Sequence, residues 1–195
     1  MEKAATVNVT PLQELPYERI DEAAALAADA FIRSPGYCYI FEGFAEEERR
    51  AALTWLFEKN FAIRRGSGVA RCAFATEMGA AAGILEADMV CFFMLQTPSS
   101  GNIGALTMLR HGILDAVPRF GLRPFFRLLE VKGYHERLER AFVADQRKQQ
   151  EAFLKSLGNT ELPGFFDDEH WCSVERMVVH PDWQGRGVGS QCLGA

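Results

Sequence analysis

The stretch Glu175-Arg176-Met177-Val178-Val179-His180-Pro181-Asp182-Trp183-Gln184-Gly185-Arg186-Gly187-Val188-Gly189 decides the reading of this chain. Its first part closes a strand predicted over Trp171–Val179, in which Val174, Met177, Val178 and Val179 are apolar and Glu175 interrupts them. His180-Pro181-Asp182 ends the strand, because proline cannot donate to a ladder and resets the backbone. Gln184 to Gly189 then forms a glycine-rich turn that feeds a helix predicted from Ser190 onward. Glycines let the main chain come close to an anion, and the free N–H groups of such a turn hold it. The pattern predicts a phosphate cradle near the C-terminal end of the sequence.

The spacing separates this turn from other phosphate loops. A Walker A loop needs a lysine after its second glycine, and none stands here. A dinucleotide-binding fingerprint needs GxGxxG and an acidic residue about 20 positions later. Here the spacing is GxGxG, and only six residues follow Gly189. The plain alternative is a tight strand-to-helix connection that binds nothing.

Working outward, Ala5–Thr10 reads as a first strand, with Val7 and Val9 on one face and Pro11 closing it. Tyr17–Phe31 reads as a helix, since Ile20, Ala23, Ala24, Ala27 and Phe31 recur at three and four. Ser34-Pro35-Gly36 is expected to break it. A second helix is predicted over Glu46–Arg64, with Leu53, Leu56, Phe57 and Phe61 at helical spacing and an acidic start and basic end that suit the helix dipole. Val69–Thr76 and Ile84–Leu95 read as strands on either side of a turn at Met78–Gly83. Between 97 and 169 helices are expected over Ile103–Val117, Pro118–Val131 and Tyr134–Leu157, the last opened by Gly133.

Composition narrows the class. A chain of 195 residues suits one domain, and 48% hydrophobic residues with fifteen Phe supply an aromatic-rich core. A net charge of −5 argues against general nucleic-acid binding, which needs a basic face. Cys38, Cys72, Cys91, Cys172 and Cys192 show no CxxC spacing and His111, His135, His170 and His180 no HxxxH, so neither a disulfide framework nor a metal site is expected. Reduced cysteines and the lack of a leader-like N-terminus point to the cytoplasm, leaving the nucleus open. No apolar run approaches membrane-spanning length.

The Glu175–Gly189 stretch resembles the acyl-CoA signature of the GCN5-related N-acetyltransferase (GNAT) superfamily: an apolar strand, a V-x-P end, a short spacer, then Q/R-x-x-G-x-G/A at a helix start. Gln184, Gly187 and Gly189 stand at its fixed positions. The upstream order of strand, two helices and further strands is similar to that family's. The resemblance implies an α/β fold of the acyl-CoA N-acyltransferase type, with a mixed, mostly antiparallel sheet flanked by helices. It implies one domain over 5–195, a helical insertion at 97–169, and a C-terminal part that is missing.

It also implies roles. Gln184, Gly185, Arg186, Gly187, Val188 and Gly189 would hold the pyrophosphate of acetyl-CoA, the co-substrate. Backbone groups of Met177, Val178 and Val179 would pair with the pantetheine arm, and one N–H would polarise the thioester carbonyl. Glu175 is the candidate base, expected on the same strand face as Met177 and Val179. His180, Glu86 and Asp88 are weaker candidates. No acid is transferred, because Tyr17, Tyr37, Tyr39 and Tyr134 all lie upstream of the signature. The acceptor would be a primary amine of a small molecule or peptide, met by an aromatic loop with Phe31, Tyr37, Tyr39, Phe41 and Phe44. The alternative is a truncated, non-catalytic CoA-binding remnant. An open sheet edge also suggests a homodimer formed by strand exchange.

Overall fold

The structure, a computed structural model, describes residues 8–64, 70–76, 88–96, 105–156 and 173–194. Its sheet contains β1 (Asn8–Val9), β2 (Gln13–Glu14), β3 (Ala70–Thr76), β4 (Met89–Gln96) and β5 (Ser173–Val179). β1 and β2 both pair with β3, so they are two pieces of one strand parted at Pro11, which has no N–H to give the ladder. Thr10 bridges the gap: its N–H donates to the Phe74 carbonyl and its hydroxyl accepts from the Phe74 N–H, both at 3.0 Å. The order runs β1/β2, β3, β4, β5, and every described pairing is antiparallel. The parallel component of the expected mixed sheet has no counterpart among the described residues. Of the expected strand Ala5–Thr10, residues 5–7 lie outside them, as do the turns at 66–68 and 78–83.

One face of the sheet carries α1 (Ile20–Phe31) and α3 (Glu46–Arg64), with α2 (Pro35–Ile40) between them. Ala23, Ala24, Ala27 and Ala28 of α1 are buried and let α3 approach closely through Ala52 and Leu53. Phe57 and Phe61 of α3 then reach the sheet, where the Phe61 ring lies 4.6 Å from that of Phe92. Cys72, Phe74, Met94 and Val178 complete this core. Burying each large side chain contributes about 1.5–3 kcal/mol, so this face supplies most of the stability. The bounds of α3 coincide with the expected ones. α2 replaces part of the expected loop: Pro35 stands in its first turn, where a missing N–H costs nothing and the fixed φ suits a helix.

Residues 105–156 form α4 (Ala105–Arg110), a 3-10 turn at Ile113–Asp115, α5 (Ala116–Phe120) and α6 (Leu122–Ser156). The expected helix Ile103–Val117 stops early because Gly112 adopts a left-handed φ of 77°. Pro118 does not separate two helices; it sits in the first turn of α5, where no intrahelical N–H is required. Gly133 does not interrupt α6, whose 35 residues run on through it. One helical glycine costs only about 1 kcal/mol, and the flanking residues are good helix formers. α6 is anchored near its start, where Arg127 donates to the Tyr39 carbonyl at 2.7 Å and to Glu42 at 2.6 Å, and Arg123 to Glu42 at 2.8 Å. Among the described residues no helix is long and apolar enough to cross a membrane.

The other face of the sheet presents Ala73, Val90, Cys91 and Phe93. It is covered by α7 (Val188–Leu193), through the buried side chains of Val188 and Cys192. Burial and the neighbouring Cys192 push the Cys91 thiol well above the usual range, and burial pushes Cys192 up as well. Both are therefore neutral packing groups that fasten α7 to β4. Cys72, on the opposite face, is pushed up to about 12 by burial.

Candidate functional site

β5 has a neighbour on one side only: among the described residues nothing pairs with its second edge. The register tells which groups that edge offers. His180 N–H donates to the Val90 carbonyl at 2.9 Å, and Cys91 faces Val179, Phe92 faces Val178 and Phe93 faces Met177. Antiparallel ladders alternate, so the N–H and C=O of Val178 point to β4, whereas those of Met177 and Val179 point to the open edge. Gln184 corroborates this, since its Nε2 donates to the Val179 carbonyl at 3.0 Å. That bond ties the glycine turn to the strand edge beside it. Of the three expected backbone positions, Met177 and Val179 thus face outward. Val178 faces β4, with its side chain in the core.

After β5, Pro181–Trp183 make a 3-10 turn whose first residue follows His180. The His180 Nδ1 accepts from the Asp182 N–H at 3.3 Å, so this imidazole caps the turn. Gly185 and Gly187 follow with φ of 72° and 77°. L-residues rarely adopt that conformation, which is the local reason for glycine at both positions. Gly189 serves differently: it lies in α7, and a Cβ there would run into Met177 Cε. The first hydrogen bond of α7 is donated by Gln191 to the Gly187 carbonyl, at 3.0 Å. The N–H groups of Val188, Gly189 and Ser190 therefore have no acceptor four residues back within the helix. α7 has only six residues, so the local amides of the turn carry any attraction for an anion.

Turn, strand edge and α7 enclose an open cleft of about 300 Å³, lined by Met177, Val179, Trp183, Gln184, Gly185, Gly187, Val188, Gly189, Ser190 and Leu193. Seven of the nine expected binding residues meet there; Val178 and Arg186 do not line it. The Arg186 guanidinium lies 5.1 Å from the centre of the ring of Trp183, which does line the cleft. Trp183, Ser190 and Leu193 were not among the expected residues. The signal for Trp183 was an aromatic residue directly before the turn; it is half-buried, lining the cleft while packing against the core on the α7 face of the sheet.

Glu175 departs from expectation. The pairing passes from Met94 opposite Arg176 to Leu95 opposite Val174, which leaves Glu175 as the extra residue of a β-bulge. A bulge places two successive side chains on one face. The Glu175 carboxylate accordingly lies 3.8 Å from the Arg176 guanidinium and 3.3 Å from that of Arg64, the last residue of α3. Arg176 itself lies over Phe57 of α3, 5.6 Å from the ring centre. Met177 reaches the other face, against Gly189. The expectation that Glu175, Met177 and Val179 share a face is therefore corrected: the inserted residue breaks the alternation on which it rested. Of the weaker base candidates, Asp88 precedes β4 and Glu86 lies outside the described residues.

The aromatic residues expected to meet an acceptor pack mostly inward. Tyr37 and Phe31 join Phe57, and Phe41 joins Phe44 and Phe120. Tyr39 is the exposed one, donating to Glu130 at 2.8 Å. Among the described residues no group of His, Cys, Asp or Glu is arranged to hold a metal ion. No known protein family, curated protein or solved structure matches this chain.

Proposed function

We propose that this chain is an acetyl-CoA-dependent N-acetyltransferase of the acyl-CoA N-acyltransferase type, which acts on a primary amine of a small molecule or peptide. One observation carries the reading: the open backbone edge at Met177 and Val179 runs directly into a turn with two left-handed glycines, and both line one cleft. An extended pantetheine amide chain suits the outward N–H and C=O of Met177, the Val179 carbonyl being already taken by Gln184, and a diphosphate suits turn amides that donate to no backbone acceptor among the described residues. The two binding features follow one another in the order that coenzyme A presents its own parts.

In this reading the Met177 N–H stands at the open edge to hydrogen-bond the thioester carbonyl. The neutral amine attacks that carbonyl, the C–N bond forms, the C–S bond breaks to release the CoA thiolate, and the proton shed by the nitrogen passes to water or to that thiolate. The turn of Gln184 to Gly189 holds the phosphates, and Arg186 contributes positive charge at the rim. Glu175 would serve as base only by leaving Arg64, so proton removal is assigned to no residue. That same ion pair favours the second reading, in which the chain binds CoA without turning over.

Isothermal calorimetry with CoA, followed by a thiol-release assay with acetyl-CoA and a panel of primary amines, tests both readings. Saturable heat with thiol release supports the transferase. Heat without release supports the binding remnant. Absence of heat at millimolar CoA overturns both.

A further inference from the structure

The bulge in β5 does more than turn Glu175 aside; it sets which backbone groups of the strand meet the cleft. We propose that Arg64 and Glu175 are a positioning pair: their ion pair pins the extra residue of β5 on the α3 side and so keeps the Met177 N–H at the open edge. The proposal rests on the acetyl-transfer reading above, for which that N–H addresses the thioester carbonyl.

Three observations converge on it. The inserted residue of β5 is the strand's one acidic residue. Its partner Arg64 ends a helix fixed to the core by Phe57 and Phe61, lies 111 residues away in sequence, and is only 14% exposed in its side chain. The second residue of the bulge is anchored to the same face, because the Arg176 guanidinium lies over Phe57 and 3.5 Å from Met94 Sδ. An edge strand is held from one side only, and a slip of one residue exchanges its inward and outward groups. Without the anchor, the bulge could migrate along β5 and turn the Met177 N–H toward β4. Neither Arg64 nor Glu175 lines the cleft, so neither is a catalytic residue in this account.

The test uses the full chain and three variants, Arg64→Met, Arg64→Lys and Glu175→Gln. The probe is acetyl-CoA labelled with carbon-13 at its carbonyl, bound without acceptor and read by isotope-edited infrared spectroscopy. The wild-type protein should lower the carbonyl stretching frequency below its value in water. Arg64→Met and Glu175→Gln should return it toward that value and reduce kcat about tenfold to a hundredfold, the scale of a small misplacement at a reacting centre. Their Kd for CoA should stay within about twofold, because the phosphate turn is held by separate bonds. Arg64→Lys should recover most of the frequency shift, and Glu175→Gln should keep the shape of the pH–rate profile. An unmoved carbonyl frequency in Arg64→Met, or a Kd that weakens in step with kcat, overturns the positioning pair while leaving acetyl transfer standing. A wild-type protein that binds no CoA overturns the acetyl-transfer reading and this proposal together.

Discussion

Gly187 offers a test in which stability and affinity should rank two substitutions in opposite orders. Its φ is 77°, and a Cβ built on it meets no atom within 4 Å, so any cost to folding comes from the backbone conformation and not from a clash. An alanine in that conformation costs about 1–2 kcal/mol, offset by about 0.4–1 kcal/mol from the reduced freedom of the unfolded chain. The net loss for Gly187→Ala is about 1 kcal/mol, or about 2–4 °C in Tm for a chain of this size. Aspartate visits the left-handed region more readily, so Gly187→Asp should lose less stability than the alanine variant. For CoA the order reverses. A carboxylate about 5 Å from each of two phosphate charges costs about 0.8 kcal/mol per charge in water-like surroundings, together an affinity loss of about tenfold to twentyfold. Alanine adds no charge and should change affinity by less than about threefold, within the few tenths of a kcal/mol that such strain leaves in the bound state. The aspartate effect should shrink in 1 M salt, where screening acts over about 3 Å. Thermal unfolding and calorimetry at low and high salt read both quantities. Equal weakening by the two variants would show that the turn acts through its shape and not through the phosphates. An aspartate variant that binds CoA as the wild type does would remove the phosphates from this turn.

Further predictions test the fold and its charges. Phe61→Ala should lower stability by about 3–5 kcal/mol, seen as a lower urea midpoint, because the ring is buried against Phe57 and Phe92. Glu42 is held below its ordinary value of 4.5, first by hydrogen bonding to Arg127 and then by the charges of Arg127 and Arg123. Its contribution to stability is therefore present above about pH 4.5 and is lost as pH falls through the lowered value. The stability gap between wild type and Glu42→Gln should be constant near neutrality and close in acid, and a gap that widens in acid would reverse the sign. In the native protein Cys38, which is half-buried, should react with maleimide before Cys72, Cys91 and Cys192, which are buried. Peptide mass spectrometry after timed labelling reads that order.

The parts of the fold legible from sequence are those where one local signal decides the outcome. α3 was readable to both ends because three glutamates open it, an arginine closes it, and its apolar residues keep helical spacing throughout. The end of β5 was readable because Pro181 punctuates it, but the helix after the glycine turn begins at Val188, two residues before the expected Ser190. Where two signals compete, the reading failed. Pro35-Gly36 breaks one helix and begins another, and the pattern alone does not tell which. Gly133 resembles a stop, yet flanking helix formers outweigh its cost in α6. The site shows the same division. Seven of the nine expected binding positions line one cleft, since short-range spacing brings them together. The face of Glu175 was not legible, because it depends on a bulge, and the bulge depends on a pairing with β4 and an arginine far away in sequence.

The central claim is that the main-chain amides from Gln184 to Gly189 grip the diphosphate of coenzyme A. A nitrogen-15 NMR titration reads those amides one by one. Addition of CoA should move the resonances of Gly185, Gly187 and Gly189 strongly, while pantetheine, which lacks the phosphates, should leave them in place. Resonances that stay fixed at saturating CoA, or that respond equally to pantetheine, would contradict the claim.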